Sequence, residues 1–269
     1  MDPKKLFAIK PGSNVKIKSF DPDQTAEFKD KDAAAKTIEE NTSRCLELQT
    51  KLYAENTRAV LLVLQGMDTA GKDGTVFHVM RGLNPTACRV ETFKRPTEEE
   101  LDHDFLWRIH KLCPRRGEIT VFNRSHYEDV LVVRVHNLVP KDVWSQRYEH
   151  INAFEQMLTD AGTRIIKCFL HISKDEQKQR LQERLKDPTK NWKFEEGDLK
   201  ERELWDDYMD AYQAMLEKTS TPHAPWHVIP ANKKWFRNLC VSQLLVQTLT
   251  DMDPKLPKPR INVAKVKVT

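Results

Sequence analysis

An apolar run, Ala59-Val60-Leu61-Leu62-Val63-Leu64, gives way to Gly66-Met67-Asp68-Thr69-Ala70-Gly71-Lys72-Asp73, and a helical pattern continues to Arg81. A buried strand, a tight glycine turn and a helix start, in that order, aim unpaired backbone N–H groups and the positive end of a helix dipole at one point, with the Lys72 ammonium beside them. The chain must therefore fold around a polyanion-binding turn, and the stretch through Gly66, Ala70, Gly71, Lys72 and Asp73 is expected to cradle phosphate. Asp73 stands where a Ser or Thr hydroxyl commonly touches magnesium. Carboxylates must then hold any metal, and Asp68 inside the loop is the first candidate.

Four further aliphatic or β-branched runs follow, at 89–93, 119–122, 164–172 and 227–229, separated by helical patterns and preceded by a long helix over 32–56. Strands alternating with helices predict an α/β fold with a parallel sheet covered on both faces, and ligands gathered beyond the carboxyl ends of the strands. The polar, proline-punctuated ends read as an amino-terminal arm, 1–31, and a carboxy-terminal tail, 253–269, around one domain over 32–252. A net charge of +4 favours anionic ligands and falls short of a nucleic-acid coat. Five widely spaced cysteines without a C-x-x-C predict reduced, cytosolic thiols, and no apolar run is long enough to span a bilayer.

The third strand ends in Asn123-Arg124-Ser125-His126-Tyr127-Glu128-Asp129. In a phosphate-loop protein that neighbouring strand end is where a second acid holds metal and a cation reaches the transferring group. Asn123 occupies the place of the acid; Glu128 and Asp129 are candidates to supply the charge, or merely favour the first turn of a helix. Arg124 offers a fork suited to phosphate oxygens, and His126 lies beside it. Ser173 caps a helix bearing Arg180 and Arg184 one turn apart, which suits either a lid closing over phosphates or a solvated helix face. Lys94 and Arg95 follow the second strand, where Thr97 and Glu100 have capping-box spacing; Lys111, Arg115 and Arg116 would extend a positive track. The pair His223 and His227 has metal-like spacing, but Pro222 and Pro225 deny it a helix, so packing is the better reading.

Taken together, these segments resemble the second family of polyphosphate kinases. The likeness rests on Gly66 to Gly74, Phe93-Lys94-Arg95-Pro96-Thr97, Arg116-Gly117-Glu118-Ile119, Asn123 to Asp129, His171 to Gln177 and Asp187-Pro188-Thr189-Lys190-Asn191-Trp192-Lys193, and runs from about Asp32 to Thr250. The resemblance implies a P-loop kinase fold similar to thymidylate kinases, with a five-stranded parallel sheet, helices on both faces and a helical lid over about 174–200. It implies reversible transfer of a terminal phosphoryl group from inorganic polyphosphate to AMP and ADP, giving ADP and ATP, with Mg2+ or Mn2+, in a homodimer or homotetramer in the cytoplasm.

The same resemblance makes Asp68 a metal ligand and Lys72 a cation at the transferring phosphate. Arg124 would touch nucleotide or phosphate oxygens, Arg180 and Arg184 would act from the lid, and Lys94 would steady polyphosphate or nucleotide. Asn123 and Glu128 would face the nucleotide, with Glu128 bearing on its choice, and Asp129 would substitute as second metal ligand. An ATP-dependent nucleoside or nucleotide kinase and a non-catalytic nucleotide or polyphosphate sensor are the rival readings; binding to nucleic acid or membrane is not expected.

Overall fold

The five apolar runs become five parallel strands, β1 (Ala59–Gln65), β2 (Cys88–Thr92), β3 (Ile119–Asn123), β4 (Thr163–His171) and β5 (Trp226–Pro230), hydrogen-bonded in the order β2-β3-β1-β4-β5. Their ends differ from the sequence reading by one residue each. In this computed structural model residues 1–266 and 268 are described, so the expected tail over 253–269 falls partly outside the described residues, at Lys267 and Thr269. The helices in chain order are α1 (Pro3–Phe7), α2 (Lys31–Glu55), α3 (Lys72–Met80), α4 (Glu98–Leu101), α5 (Trp107–His110), α6 (Val132–Val135), α7 (Lys141–Asp160), α8 (Lys174–Lys186), α9 (Gly197–Glu203), α10 (Trp205–Thr219) and α11 (Lys234–Met252).

Every residue of β1 is buried, because β3 and β4 flank it and helices cover both of its faces. The two covering layers show in β4. Lys167 meets Glu155 of α7 and the Thr219 carbonyl of α10, while its neighbour Cys168 lies toward Cys240 of α11 on the other side. Helices α2 and α3 pack with α11 on that second face. The chain leaves β1 for β2 and β3 on one side and later for β4 and β5 on the other, so the glycine turn after β1 lies at the topological switch point.

The arm is part of the body. The Ile9 N–H donates to the Trp226 carbonyl at 2.8 Å, Ala8 bridges His227 antiparallel, and Phe7, Ile9, Val15 and Ile17 are buried. It thereby covers the free edge of β5, which would otherwise present unpaired backbone groups. Among the described residues no helix is long and apolar enough to cross a membrane. Arg115 and Arg116 precede β3, so they sit at the amino ends of the strands, opposite the glycine turn, where Arg115 pairs with Glu118 at 3.4 Å. Lys111 lies 4.1 Å from the Trp107 ring centroid. The positive track expected from these three is not continuous with the turn.

Candidate active site

Between Gly66 and Ala70 each backbone carbonyl accepts a hydrogen bond from a side chain. Lys72 Nζ donates to Gly66 at 2.6 Å and to Met67 at 3.3 Å, Gln177 Nε2 to Asp68 at 3.1 Å, Arg180 Nη1 to Thr69 at 2.7 Å and Arg237 Nη1 to Ala70 at 3.1 Å. The N–H groups of Met67, Asp68, Thr69, Gly71, Lys72 and Asp73 have no hydrogen bond among the described residues. A loop with its carbonyls tied and its donors free is an anion cradle, completed by the dipole of α3. Two glycines permit the path. A Cβ on Gly66 would stand 2.7 Å from the Leu170 carbonyl oxygen, and Gly71, at φ +98°, would drive one into the Arg237 guanidinium. Thr69 and Arg124 adopt φ of 65° and 66°, left-handed conformations that non-glycine residues hold only when their surroundings enforce them.

Several expected site residues converge on this loop. Arg124 Nη2 lies 3.2 Å from Asp68 Oδ1, and Asn123 Nδ2 donates to Asp73 Oδ1 at 2.8 Å. One hydrogen bond thus accounts for two departures from common phosphate-loop usage. With Asp73 beside the lysine, an acid at 123 would oppose a like charge, whereas an amide completes the contact. Burial pushes the Lys72 ammonium below the ordinary lysine range, against the pull of Asp68. Burial likewise raises the Glu128 carboxyl, although Arg124 and Lys72 draw it down. These opposed shifts place Asp68, Lys72, Arg124 and Glu128 within one electrostatic group.

Other expected residues are placed differently. Asp129 Oδ1 accepts from Arg147 Nη1 at 2.6 Å, and burial moves its carboxyl up to about 6; its carboxylate is turned to α7, and Glu128 is the acid of that turn facing Lys72. His126 is buried beneath the turn, 3.2 Å from Glu155, which also joins Tyr127 and Lys167. Arg180 is 6% exposed, and its other donors meet Glu176, Ala231 and Asn232. It staples the loop to the end of β5, with four of its five donors engaged in doing so. Arg184, one turn on, points instead to Asp198 and the Lys193 carbonyl, both at 3.4 Å. Asp198 lies in the field of Asp68, and Lys193 stands 3.9 Å from Asp73, so the segment expected to be a lid borders the crevice. Lys94 is exposed just beyond β2, whose Thr92 registers with Asn123; its carbonyl is held by Arg108.

In the sequence reading Gln177 has no assigned role, although it ends one of the motifs, and neither Arg237 nor the α10 tyrosines are singled out. Tyr208 and Tyr212 feel the charges of Glu128 and Asp68 and form an aromatic wall beside them. Their spacing of four residues on an amphipathic helix reads equally as core. Among the described residues no three His, Cys, Asp or Glu side chains converge as a metal cage. Asp68 and Asp73 instead offer carboxylates at the mouth of a phosphate cradle. That set fits a hard divalent ion completed by waters and substrate phosphates.

The profile of the family described as Polyphosphate kinase 2 (PPK2) matches residues 28–257. An AMP/ADP-polyphosphate phosphotransferase of Meiothermus ruber is 54% identical over 97% of this chain and 98% of its own length. An ADP-polyphosphate phosphotransferase of Rhodopseudomonas palustris is 44% identical over 94% of this chain and 92% of its own. Among solved structures, polyphosphate kinase 2 from Arthrobacter aurescens TC1 superimposes with a TM-score of 0.95 at 46% identity, covering 98% of this chain and 94% of that one.

Proposed function

This chain belongs to the polyphosphate kinase 2 family, and from that premise we propose that it transfers the terminal phosphoryl group of inorganic polyphosphate to AMP and ADP, reversibly, forming ADP and ATP. The observation that carries the reading is the stapled loop: five consecutive carbonyls tied to side chains, six N–H groups without a partner among the described residues, and Lys72, Arg124, Asp68 and Asp73 around them.

An anionic oxygen of the nucleotide's terminal phosphate attacks the end phosphorus of the polymer in line. A new P–O bond forms as the bond to the penultimate phosphate's oxygen breaks, and the polymer leaves one unit shorter. Such an acceptor needs no general base, so the work is positioning and charge neutralisation. Free loop N–H groups and Lys72 hold the transferring phosphoryl, Arg124 spans it and the nucleotide, and Arg184 closes from the lid. Lys94 is suited to the far end of either anion. Glu128 and the Tyr208 and Tyr212 wall border the nucleotide side, where Asn123 fixes the strand tip through Asp73. Asp68 and Asp73 would hold Mg2+, or Mn2+ in its place, which when bound neutralises phosphate oxygens and fixes their geometry. Reduced, widely spaced cysteines support a cytoplasmic setting. Exposed Leu46, Tyr53 and Phe77 on α2 and α3 support self-association as a dimer or tetramer.

The reading is tested by mixing the protein with ADP, polyphosphate and Mg2+ and following ATP by luciferase. ATP should accumulate and chelation should abolish it. The accumulation should require polyphosphate: a nucleotide kinase that disproportionates ADP would form ATP and AMP with or without the polymer, and a sensor would leave ADP unchanged.

A further inference from the structure

Arg237 is 3% exposed, and its hydrogen-bond partners are the Ala70 carbonyl and the side-chain oxygen of Asn238. Among the described residues no acid pairs with it. It belongs to the first turn of α11 and presses against Gly71, the cap of α3, so it lies at the positive ends of two helices. Arg180 adds like charge to its surroundings, and burial together with that guanidinium brings Arg237 down to about 10. Burying a charge is unfavourable unless a partner compensates it. Folding alone would be served better by a neutral side chain. A polyanion on the opposite side of the loop removes the conflict, because it supplies the missing negative charge across one peptide layer.

We propose that Arg237 is a positioning residue for the phosphate chain: it fixes the Ala70 carbonyl away from the cradle and adds a buried, uncompensated positive charge behind it. The inference rests on the polyphosphate reading and deepens it. Phosphate binding, more than fold stability, should depend on this guanidinium.

Arg237→Gln keeps much of the volume and a donor but loses the charge, whereas Arg237→Lys keeps the charge. Calorimetric titration of inorganic tripolyphosphate into the full chain without nucleotide should show affinity about tenfold weaker for Arg237→Gln, the scale of one charge-assisted contact, and within about threefold of the parent for Arg237→Lys. The polyphosphate KM should rise in parallel while the AMP KM stays within about twofold, and the melting temperature should not fall. Tripolyphosphate affinity of Arg237→Gln equal to the parent's, or AMP and polyphosphate KM rising together, would overturn the proposal. If Arg237→Gln does not fold, Asn238→Asp decides the matter, since it keeps both hydrogen bonds to Arg237 and supplies the missing negative charge beside it. Weaker tripolyphosphate binding supports the proposal and unchanged binding refutes it. A parent protein that binds tripolyphosphate but transfers nothing would instead refute the polyphosphate-kinase reading and leave the Arg237 claim intact.

Discussion

Lys72 donates to two loop carbonyls and sets its charge beside the free N–H groups, so its ammonium is the charge whose removal should be felt most directly. Lys72→Ala is expected to lower turnover by about 10²–10³, the scale of one preorganised electrostatic contact, with little change in melting temperature. Asn123 and Asp73 should behave as one unit. Asn123→Asp alone sets two carboxylates against each other, while the exchange Asp73→Asn with Asn123→Asp restores a donor–acceptor pair. A double-mutant cycle on unfolding free energy, measured without metal, should therefore show coupling of about 0.5–3 kcal/mol. His227 belongs to stability rather than catalysis. Burial pushes its imidazole down to about 4, so the unfolded chain binds the extra proton below the usual histidine value. Stability is full above pH 6.5 and falls as pH drops toward 4, by about 3 kcal/mol in all. The melting temperature of His227→Gln should fall less steeply across that window; an unchanged slope would assign the acid sensitivity elsewhere.

At the scale of elements, strand, turn and cap signals were legible because each is local. Apolar runs bounded by polar residues located all five strands within one residue, and Thr97 with Glu100 forms the expected capping box. Ser173 caps α8 by accepting from the Glu176 N–H at 3.1 Å. Since α8 also carries Gln177 and Arg180, which hold the loop, Ser173→Ala should cost about 1 kcal/mol by denaturant titration. Helical spacing showed that Arg180 and Arg184 share a face. It had no means of showing that one donates inward to carbonyls of the loop while the other meets α9. Arg237 was invisible for a related reason: its partner, Ala70, is 167 residues away and contributes only backbone. Asp129 and Glu128 are adjacent, and only the packing of Arg147 decides which acid faces the crevice.

For the whole molecule, the sheet order brings loops from the ends of β1, β3 and β4 to one edge, and the amino-terminal arm closes the far side at β5. Deleting residues 1–16 should uncover that strand edge and produce concentration-dependent aggregation, read by light scattering. The identity of the phosphoryl donor distinguishes this chemistry from every rival. Purified protein incubated with AMP, polyphosphate and Mg2+, with no ATP added, should yield first ADP and then ATP when nucleotides are resolved by chromatography over time. AMP left unchanged by a folded protein that binds tripolyphosphate would contradict it.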